Sequence, residues 1–206
     1  MTEFYTKAVT ELKNIYDNLN KDYYEDKLPE VVITIQSSPK GKAYGWYAKD
    51  RWGIETDKEK AFDEINISAE YLSRPIENIV STLQHEMVHL YCAINDIKDT
   101  SNNNVYHNKK FKEEAENRGL SIEKAQTIGY SVTTPTAEFI EYIKDLSISE
   151  DAFKFFRKLP MGKEKTKKTA KKTTKYTCPC CDVSVRGEPD LEIECKKCGV
   201  LMESKH

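Results

Sequence analysis

The stretch IENIVSTLQHEMVHLYCAI, Ile76–Ile94, has the amphipathic pattern of a helix with a 3.6-residue period. Pro75, just before it, suits a first helical turn. On a helical wheel His85 and His89 lie roughly opposite the apolar stripe, and Glu86 lies to one side of it. The core can therefore hold the helix while both histidines face a cleft. The stripe consists of Ile76, Ile79, Val80, Leu83, Met87, Leu90 and Ile94.

The His-Glu-x-x-His spacing within this helix is typical of a hydrolytic zinc site. Two imidazoles one turn apart, with about 5–6 Å between their Cβ atoms, can reach one cation. Zinc lowers the pKa of its bound water to about 7, and a neighbouring carboxylate accepts the proton. We therefore predict that His85 and His89 hold zinc and that Glu86 activates the water that attacks a peptide bond. The alternative is a pair of surface histidines on an ordinary amphipathic helix.

A catalytic zinc normally takes a third protein ligand and keeps one position open. The remaining histidines are His107 and His206. His107 follows His89 by 18 residues, across an Asn-rich loop and at the start of the helix expected in KKFKEEAENRG. We favour His107, because it is well placed to reach back to the helix. The competing ligands are the carboxylates Glu113, Glu114 and Glu116.

The flanking segments predict an α+β fold with an N-terminal helix and a small β-sheet before the His-Glu-x-x-His helix. Apolar residues at three- and four-residue spacing predict the first helix, and short β-branched or aromatic runs predict the strands. A turn is expected at residues 39–41 and a further helix in TAEFIEYIKDLS. The expected first helix and strands are Thr2–Tyr24, Val31–Gln36, Ala43–Ala48 and Glu64–Ala69.

Five of the six cysteines lie close together near the C-terminus. Cys178-x-x-Cys181 and Cys195-x-x-Cys198 are separated by 13 residues that can form a short hairpin. This spacing predicts a four-sulfur structural zinc site of the ribbon type, without which a unit of about 30 residues would hardly fold. Cys180 is a third thiol for two places, and the two-residue spacing leaves it as the spare.

Composition and the N-terminus set the expected compartment. The chain has 206 residues, 32% of them charged, which suits one medium domain plus an appendage. MTEFYTKAVTELK is not a secretory signal, and no apolar run approaches the roughly 18 residues of a membrane span. We therefore expect a cytoplasmic or nucleoid- or nucleus-associated monomer. Cys92, outside the cluster, is expected to be a small buried side chain and not a catalytic thiol.

Charge is distributed unevenly along the chain. Met1–Met161 carries a net charge of −6, whereas Gly162–His206 carries +4. The segment GKEKTKKTAKKTTK contains seven lysines and nothing that can pack, so residues 161–175 read as a flexible basic linker. Its charge favours DNA, preferentially single-stranded, as a partner, although a solvated linker is an equal alternative. The expected nucleic-acid contacts are Lys167, Lys168, Lys171, Lys172, Lys175 and Tyr176, the last by base stacking.

These features together resemble the SprT-like metalloprotease family, whose eukaryotic relative is called Spartan. The resemblance rests on HEMVHLYCAI, YHNKKF (Tyr106–Phe111), GYSVTT and the four-cysteine ribbon. It implies a zincin-like metalloprotease domain over residues 1–160, the linker over residues 161–175 and the ribbon over residues 176–206. By position it implies that His85, His89 and His107 bind the catalytic zinc and that Glu86 is the general base. Two features depart from the family pattern, namely Asn108, where glycine is common, and a longer loop before His107.

The family resemblance implies a zinc-dependent endopeptidase that acts on DNA-associated proteins, including proteins crosslinked to DNA. Two zinc ions are expected, one catalytic and one structural. The alternative is a nucleic-acid-binding ribbon protein whose zincin domain is non-proteolytic or vestigial. Glu86 argues against that alternative, because a purely structural site has no use for a base. A hydrolase with a substrate other than protein is a third hypothesis.

Overall fold

The computed structural model describes residues 3–38, 43–102, 104–158 and 173–205. The chain divides into two units, Met1–Leu159 and Pro160–His206. Among the described residues, the first unit contains α1 Glu3–Tyr24, α2 Ile76–Ile94, α3 Lys109–Glu116 and α4 Ala137–Asp145. Its strands are β1 Val32–Gln36, β2 Gly45–Ile54, β3 Asp57–Ser68, β4 Thr100–Ser101, β5 Tyr106–His107, β6 Leu120–Ala125 and β7 Gly129–Pro135. The mixed α+β architecture expected from the sequence is confirmed.

Strands β1, β2 and β3 form a sheet in the order β1-β3-β2. β1 runs parallel to β3, and β2 is antiparallel to β3. Ile33 and Ile35 on β1 lie beside Ile65 and Ile67 on β3, and all four are buried. β2 and β3 are longer than predicted, because they continue as an exposed hairpin whose charged residues carry no burial pattern.

Helix α2 packs its apolar stripe into the core shared with α1 and the sheet. Five stripe residues, Ile79, Val80, Leu83, Met87 and Leu90, are 0% exposed. Burying each such side chain stabilises the fold by about 1.5–3 kcal/mol. Ile94 is 42% exposed, because the chain leaves the core there for an exposed turn.

A second sheet, in the order β4-β5-β7-β6, follows α2 in the chain. β7 contains the GYSVTT segment, and β4 lies within the stretch expected to be loop. β6 was not predicted from the sequence, because only Leu120 and Ile122 carry its apolar alternation. One parallel pair, His107 with Gly129, joins β5 to β7. This pairing brings the third histidine beside a strand that begins 22 residues later in the chain.

The second unit contains two small antiparallel sheets. Its strands are β8 Thr174–Thr177, β9 Ser184–Gly187, β10 Glu194–Cys195, β11 Val200–Leu201 and β12 Glu203–Lys205. Thr174 and Lys175, assigned to the linker from the sequence, belong to β8. The rest of the expected lysine-rich linker up to residue 172, and the turn at residues 39–41, lie outside the described residues. Within the described ranges, no helix has the length and apolarity needed to cross a membrane.

Candidate functional site

Three imidazoles converge at one point of the first unit. His85 and His89 extend from α2, and His107 extends from β5. The Nε2 atom of His107 lies 3.0 Å from that of His89 and 3.2 Å from that of His85. Tetrahedral zinc with Zn–N bonds of about 2.0–2.1 Å would hold two nitrogens about 3.3 Å apart. The donor set therefore fits a zinc ion closely.

The competing carboxylates take no part in this cluster. Among the described residues, the group able to share a metal there is His85, His89 and His107. Glu114 instead pairs with Arg118 at 2.6 Å, and Glu116 pairs with Lys112 at 3.4 Å. Both glutamates lie on α3 and pair with basic residues within four positions of them, so these carboxylates are occupied locally.

The outer nitrogens of the three imidazoles are held by hydrogen-bond acceptors. His89 Nδ1–H donates to Asp99 Oδ2 at 2.5 Å, and His107 Nδ1–H donates to the carbonyl oxygen of Ile128 at 3.4 Å. His85 Nδ1 lies 2.8 Å from Thr133 Oγ1. A carboxylate and a carbonyl only accept, so Nδ1 of His89 and His107 carries the proton and Nε2 carries a lone pair. Lone pairs that face each other at this distance repel unless a cation lies between them.

The ring of Phe111 supports all three imidazoles. Its centroid lies 4.6 Å from that of His85, of His89 and of His107. Asn108 begins α3 and accepts hydrogen bonds from the backbone N–H groups of Lys110 and Phe111. Its φ of −95° is ordinary extended backbone, so the position has no need of the glycine common in the family.

Gly129 allows β7 to approach His107. Its φ is +72°, and a Cβ at this position would lie 2.2 Å from the carbonyl oxygen of His107. Only glycine tolerates both the left-handed backbone and the close contact. The backbone conformation and the close contact with His107 therefore explain why the GYSVTT segment begins with glycine.

Glu86 lies beside the three histidines and is 6% exposed. The backbone N–H of Tyr47 donates to its carboxylate. Burial raises the pKa of Glu86 to about 7, with His89 acting in the opposite direction. Gly45 leaves room for this carboxylate, because an added Cβ there would lie 3.2 Å from Glu86 Oε1 and 2.8 Å from the carbonyl oxygen of Asn66. The arrangement places a proton acceptor next to the candidate metal centre.

Two of the three histidines, His85 and His107, are kept neutral. Burial, together with the neighbouring His89 and His107, holds the pKa of His85 well below its usual value. Burial lowers the pKa of His107 to about 4. Neutral imidazoles at neutral pH are the form that binds a metal.

Two clefts of about 640 Å³ and about 580 Å³ meet at this centre. The first runs along residues 46–49 of β2 and past Asp99, and the second is bordered by Tyr44, Arg74 and Val132. Because the N–H of Tyr47 reaches Glu86, the outer edge of β2 faces the centre. The clefts share Gly45, His85, Glu86 and His107.

The second unit contains a separate candidate metal centre. The sulfur atoms of Cys178, Cys181, Cys195 and Cys198 all lie within 4.8 Å of one another. Cys181 Sγ and Cys195 Sγ are 3.7 Å apart, close to the spacing of about 3.8 Å for tetrahedral zinc with Zn–S bonds of about 2.3 Å. Cys180 is exposed and does not belong to this group.

Two similar turns present these sulfurs. The N–H of Asp182 donates to the carbonyl oxygen of Cys178 at 3.0 Å, and the N–H of Gly199 donates to that of Cys195 at 2.8 Å. Asp182 and Gly199 each have a positive φ, 57° and 66°. Each turn therefore closes four residues after its first cysteine, which places two sulfurs on one side of it.

Tyr176 does not have the role expected for it. Its ring is 2% exposed, its hydroxyl donates to the carbonyl oxygen of Glu188 at 2.7 Å, and it accepts from the N–H of Leu191 at 2.9 Å. The prediction that it stacks on bases is wrong, because the ring forms the core of the ribbon. Lys175 is exposed on β8. Lys167, Lys168, Lys171 and Lys172 lie outside the described residues.

Three supporting residues were missed from the sequence. Asp99, Thr133 and Phe111 act through the histidines, and no local spacing marks the first two, although Phe111 lies in the YHNKKF segment. Cys92 is buried as expected, and burial raises the pKa of its thiol to about 12. A thiol so rarely ionised is a core side chain and not a nucleophile.

Among the comparisons with known proteins, one gave a match, to a protein-family model. No curated protein and no solved structure gave a significant match to the chain. The model of the SprT-like family matches residues 12–130, a span that includes α2, Glu86 and all three converging histidines. Since this span covers more than half of the sequence, the chain belongs to the SprT-like family.

Proposed function

We propose that the chain is a zinc-dependent metalloendopeptidase. The observation that carries the proposal is the convergence of three imidazole Nε2 atoms beside a buried carboxylate, at the meeting point of two clefts. Membership of the SprT-like family is compatible with this activity. A purely structural zinc site would gain nothing from a carboxylate held at 6% exposure next to it.

The three histidines and Glu86 have different roles in the proposed hydrolysis. A zinc ion held by His85, His89 and His107 would supply the positive charge that polarises a carbonyl and acidifies water. Glu86 accepts the proton of the attacking water and returns it to the leaving amine. The backbone N–H of Tyr47 faces the Glu86 carboxylate and favours its ionised form, the form that accepts a proton.

The shape of the site suits an extended polypeptide. β2 is an edge strand of its sheet within the described residues, and its outer edge faces Glu86. An extended peptide can pair with such an edge through backbone hydrogen bonds. Clefts lie on both sides of the centre, so a substrate polypeptide can extend beyond the cleaved bond in both directions. An endopeptidase requires this.

The proposed substrates are proteins bound or crosslinked to DNA, with single-stranded DNA as the preferred partner. The charge of the chain supports this part of the proposal. Residues 161–175 carry seven lysines against one glutamate, whereas from Tyr176 onward six acidic side chains outnumber four basic ones. The phosphate-binding charge therefore belongs to the lysine-rich segment and not to the ribbon. Holding enzyme and substrate on one strand would raise their effective concentration.

The test is cleavage of a DNA-binding protein by the zinc-loaded chain, with and without single-stranded DNA. Glu86→Gln should abolish cleavage, whereas Glu113→Gln, an exposed glutamate on α3, should leave it unchanged. Equal cleavage by wild type and Glu86→Gln would remove the enzymatic proposal. A rate indifferent to DNA would remove only the DNA-associated part of it.

A further inference from the structure

Arg74 stands apart from the other arginines of the first unit. Arg51, Arg118 and Arg157 each lie within 4.0 Å of a glutamate oxygen. In the ranges that the structure describes, Arg74 has no carboxylate partner of this kind. Arg74 instead borders the second cleft, which His85 and Glu86 also border.

The guanidinium of Arg74 is fixed in position by neutral groups. Its Nε donates to the carbonyl oxygen of Tyr71 at 3.0 Å, and Nη2 donates to Thr82 Oγ1 at 2.9 Å. The Tyr44 ring lies 4.1 Å from Cζ. These contacts leave Nη1, which makes no hydrogen bond among the described residues, available to a ligand. A side chain already held in one geometry loses little entropy when it binds.

Among the described residues no carboxylate pairs with Arg74, so this half-buried cation has lost hydration that no counter-ion there replaces. Burial lowers the pKa of Arg74, but a guanidinium stays charged at neutral pH. The nearby acid of the first turn of α2, Glu77, acts on Lys144. The planar fork of a guanidinium matches the two oxygens of a carboxylate. The chemistry of the position therefore calls for an anionic group from outside the chain.

The position of Arg74 relative to the candidate metal centre limits where that group lies. Thr82, which holds Arg74, precedes His85 by three residues, about 4.5 Å along the helix axis. An extended peptide advances about 3.3 Å per residue. Arg74 is therefore within reach of a substrate group about one or two residues from the bond cleaved.

The direction of β2 gives the side of the cleaved bond. Tyr44, which borders the cleft of Arg74, comes just before β2, whereas residues 46–49 border the other cleft. Antiparallel pairing is the more stable arrangement of two strands, and a peptide that pairs antiparallel with β2 runs from residue 49 towards Tyr44. Its carboxyl-terminal part then enters the cleft of Arg74.

We propose that Arg74 binds a carboxylate of the substrate on the carboxyl side of the cleaved bond, so that the enzyme prefers acidic substrates there. This inference rests on the proposed peptidase function. The carboxylate can come from an aspartate or glutamate side chain or from the C-terminus of a peptide. Both sources present the same two oxygens to the guanidinium.

The first experiment compares peptides that differ in one group. Acetylated and amidated peptides carry Glu or Gln at the first or second residue after the cleaved bond, and a further pair ends in a free carboxylate or an amide. The zinc-loaded wild type should show a kcat/KM about tenfold higher for the carboxylate member of one pair. Which pair responds identifies the source of the carboxylate. Equal values in every pair would overturn the proposal.

Variants separate recognition from a merely structural role. Arg74→Gln should lose the preference while its rate on the Gln peptide stays within about twofold of wild type. Arg74→Lys should keep part of the preference, because it retains the charge without the fork. Arg51→Gln, on the exposed hairpin, is the matched control and should keep all of it. An equal loss on Glu and Gln peptides in folded Arg74→Gln would contradict the inference.

A binding measurement gives a readout that does not need cleavage. Fluorescent Glu and Gln peptides are titrated into the zinc-loaded full chain carrying Glu86→Gln, with and without Arg74→Gln. The Glu peptide should bind about tenfold more tightly, and Arg74→Gln should remove the difference. If no peptide is cleaved but this difference persists, the peptidase proposal fails and the carboxylate site stands. Equal binding of both peptides, or Arg74-dependent binding of a single-stranded oligonucleotide instead, would overturn the carboxylate site.

Discussion

Asp99 offers a direct test of how the three-histidine centre is held. The change is Asp99→Ala, which removes the acceptor for His89 Nδ1–H at 2.5 Å. Without that acceptor the His89 ring can rotate and can carry its proton on Nε2, the atom that faces the metal. Zinc should therefore bind more weakly at this centre while the ribbon site is unaffected.

The size of the effect follows from burial. The side chains of His89 and Asp99 are 13% and 14% exposed, so solvent replaces little of the lost interaction. A hydrogen bond to a charged group contributes about 1.5–3 kcal/mol, which corresponds to a loss of about 10- to 100-fold in zinc affinity. Asp99→Asn should lose less, because the amide oxygen still accepts but carries no charge.

Zinc affinity is measured by competition with a chromophoric chelator on the full chain, with the ribbon site as an internal reference. Asp145→Asn, on the exposed end of α4, is the control for a lost surface charge. Wild-type affinity in Asp99→Ala would refute the reasoning. A parallel loss at the ribbon site would point to unfolding, and thermal denaturation of each variant checks for that.

Three other predictions concern the metals, the backbone and pH. Elemental analysis should find about two zinc ions per chain, one after His85→Ala and one after Cys195→Ser. Gly129→Ala should lower the free energy of unfolding by more than about 1–2 kcal/mol in thermal denaturation, because the new Cβ would lie 2.2 Å from the His107 carbonyl oxygen at a φ of +72°. In metal-free chain, urea denaturation should show that Glu86→Gln stabilises the fold by about 1–3 kcal/mol at pH 8, because burial raises the folded pKa of Glu86 to about 7 from an ordinary 4.5. That gain should disappear as the pH falls from 7 to 4.5, since the folded wild type then takes up the proton that relieves the buried charge; a constant gain would contradict the assigned pKa.

Local spacing explains why the main part of the site was predicted from the sequence. The apolar stripe and the pair His85 and His89 belong to one helix, so a helical period places them without knowledge of the rest of the fold. His107 was favoured as one of two remaining histidines, and the structure brings its Nε2 to 3.0 Å from that of His89. The cysteine turns were likewise visible because each is closed within five residues.

Contacts between distant segments explain what was missed. Thr133 meets His85 across 48 residues, and Asp99 meets His89 from a polar loop that has no periodicity. Tyr176 shows the opposite error, because an aromatic next to a basic segment reads as a base-stacking residue until the fold shows it inside the ribbon. Whether a single side chain is buried depends on contacts with residues elsewhere in the fold, and local sequence patterns do not identify those residues.

The one-pair bridge between His107 and Gly129 also has a consequence for the order of events during synthesis. A chain emerging from the ribosome presents His85 and His89 early, but the third imidazole has no fixed direction until Gly129 has emerged and paired. Thr133, which lies 2.8 Å from His85 Nδ1, emerges from the ribosome later still. An incomplete chain therefore lacks a complete candidate metal centre, and under the proposed function it could not yet hydrolyse a peptide bond.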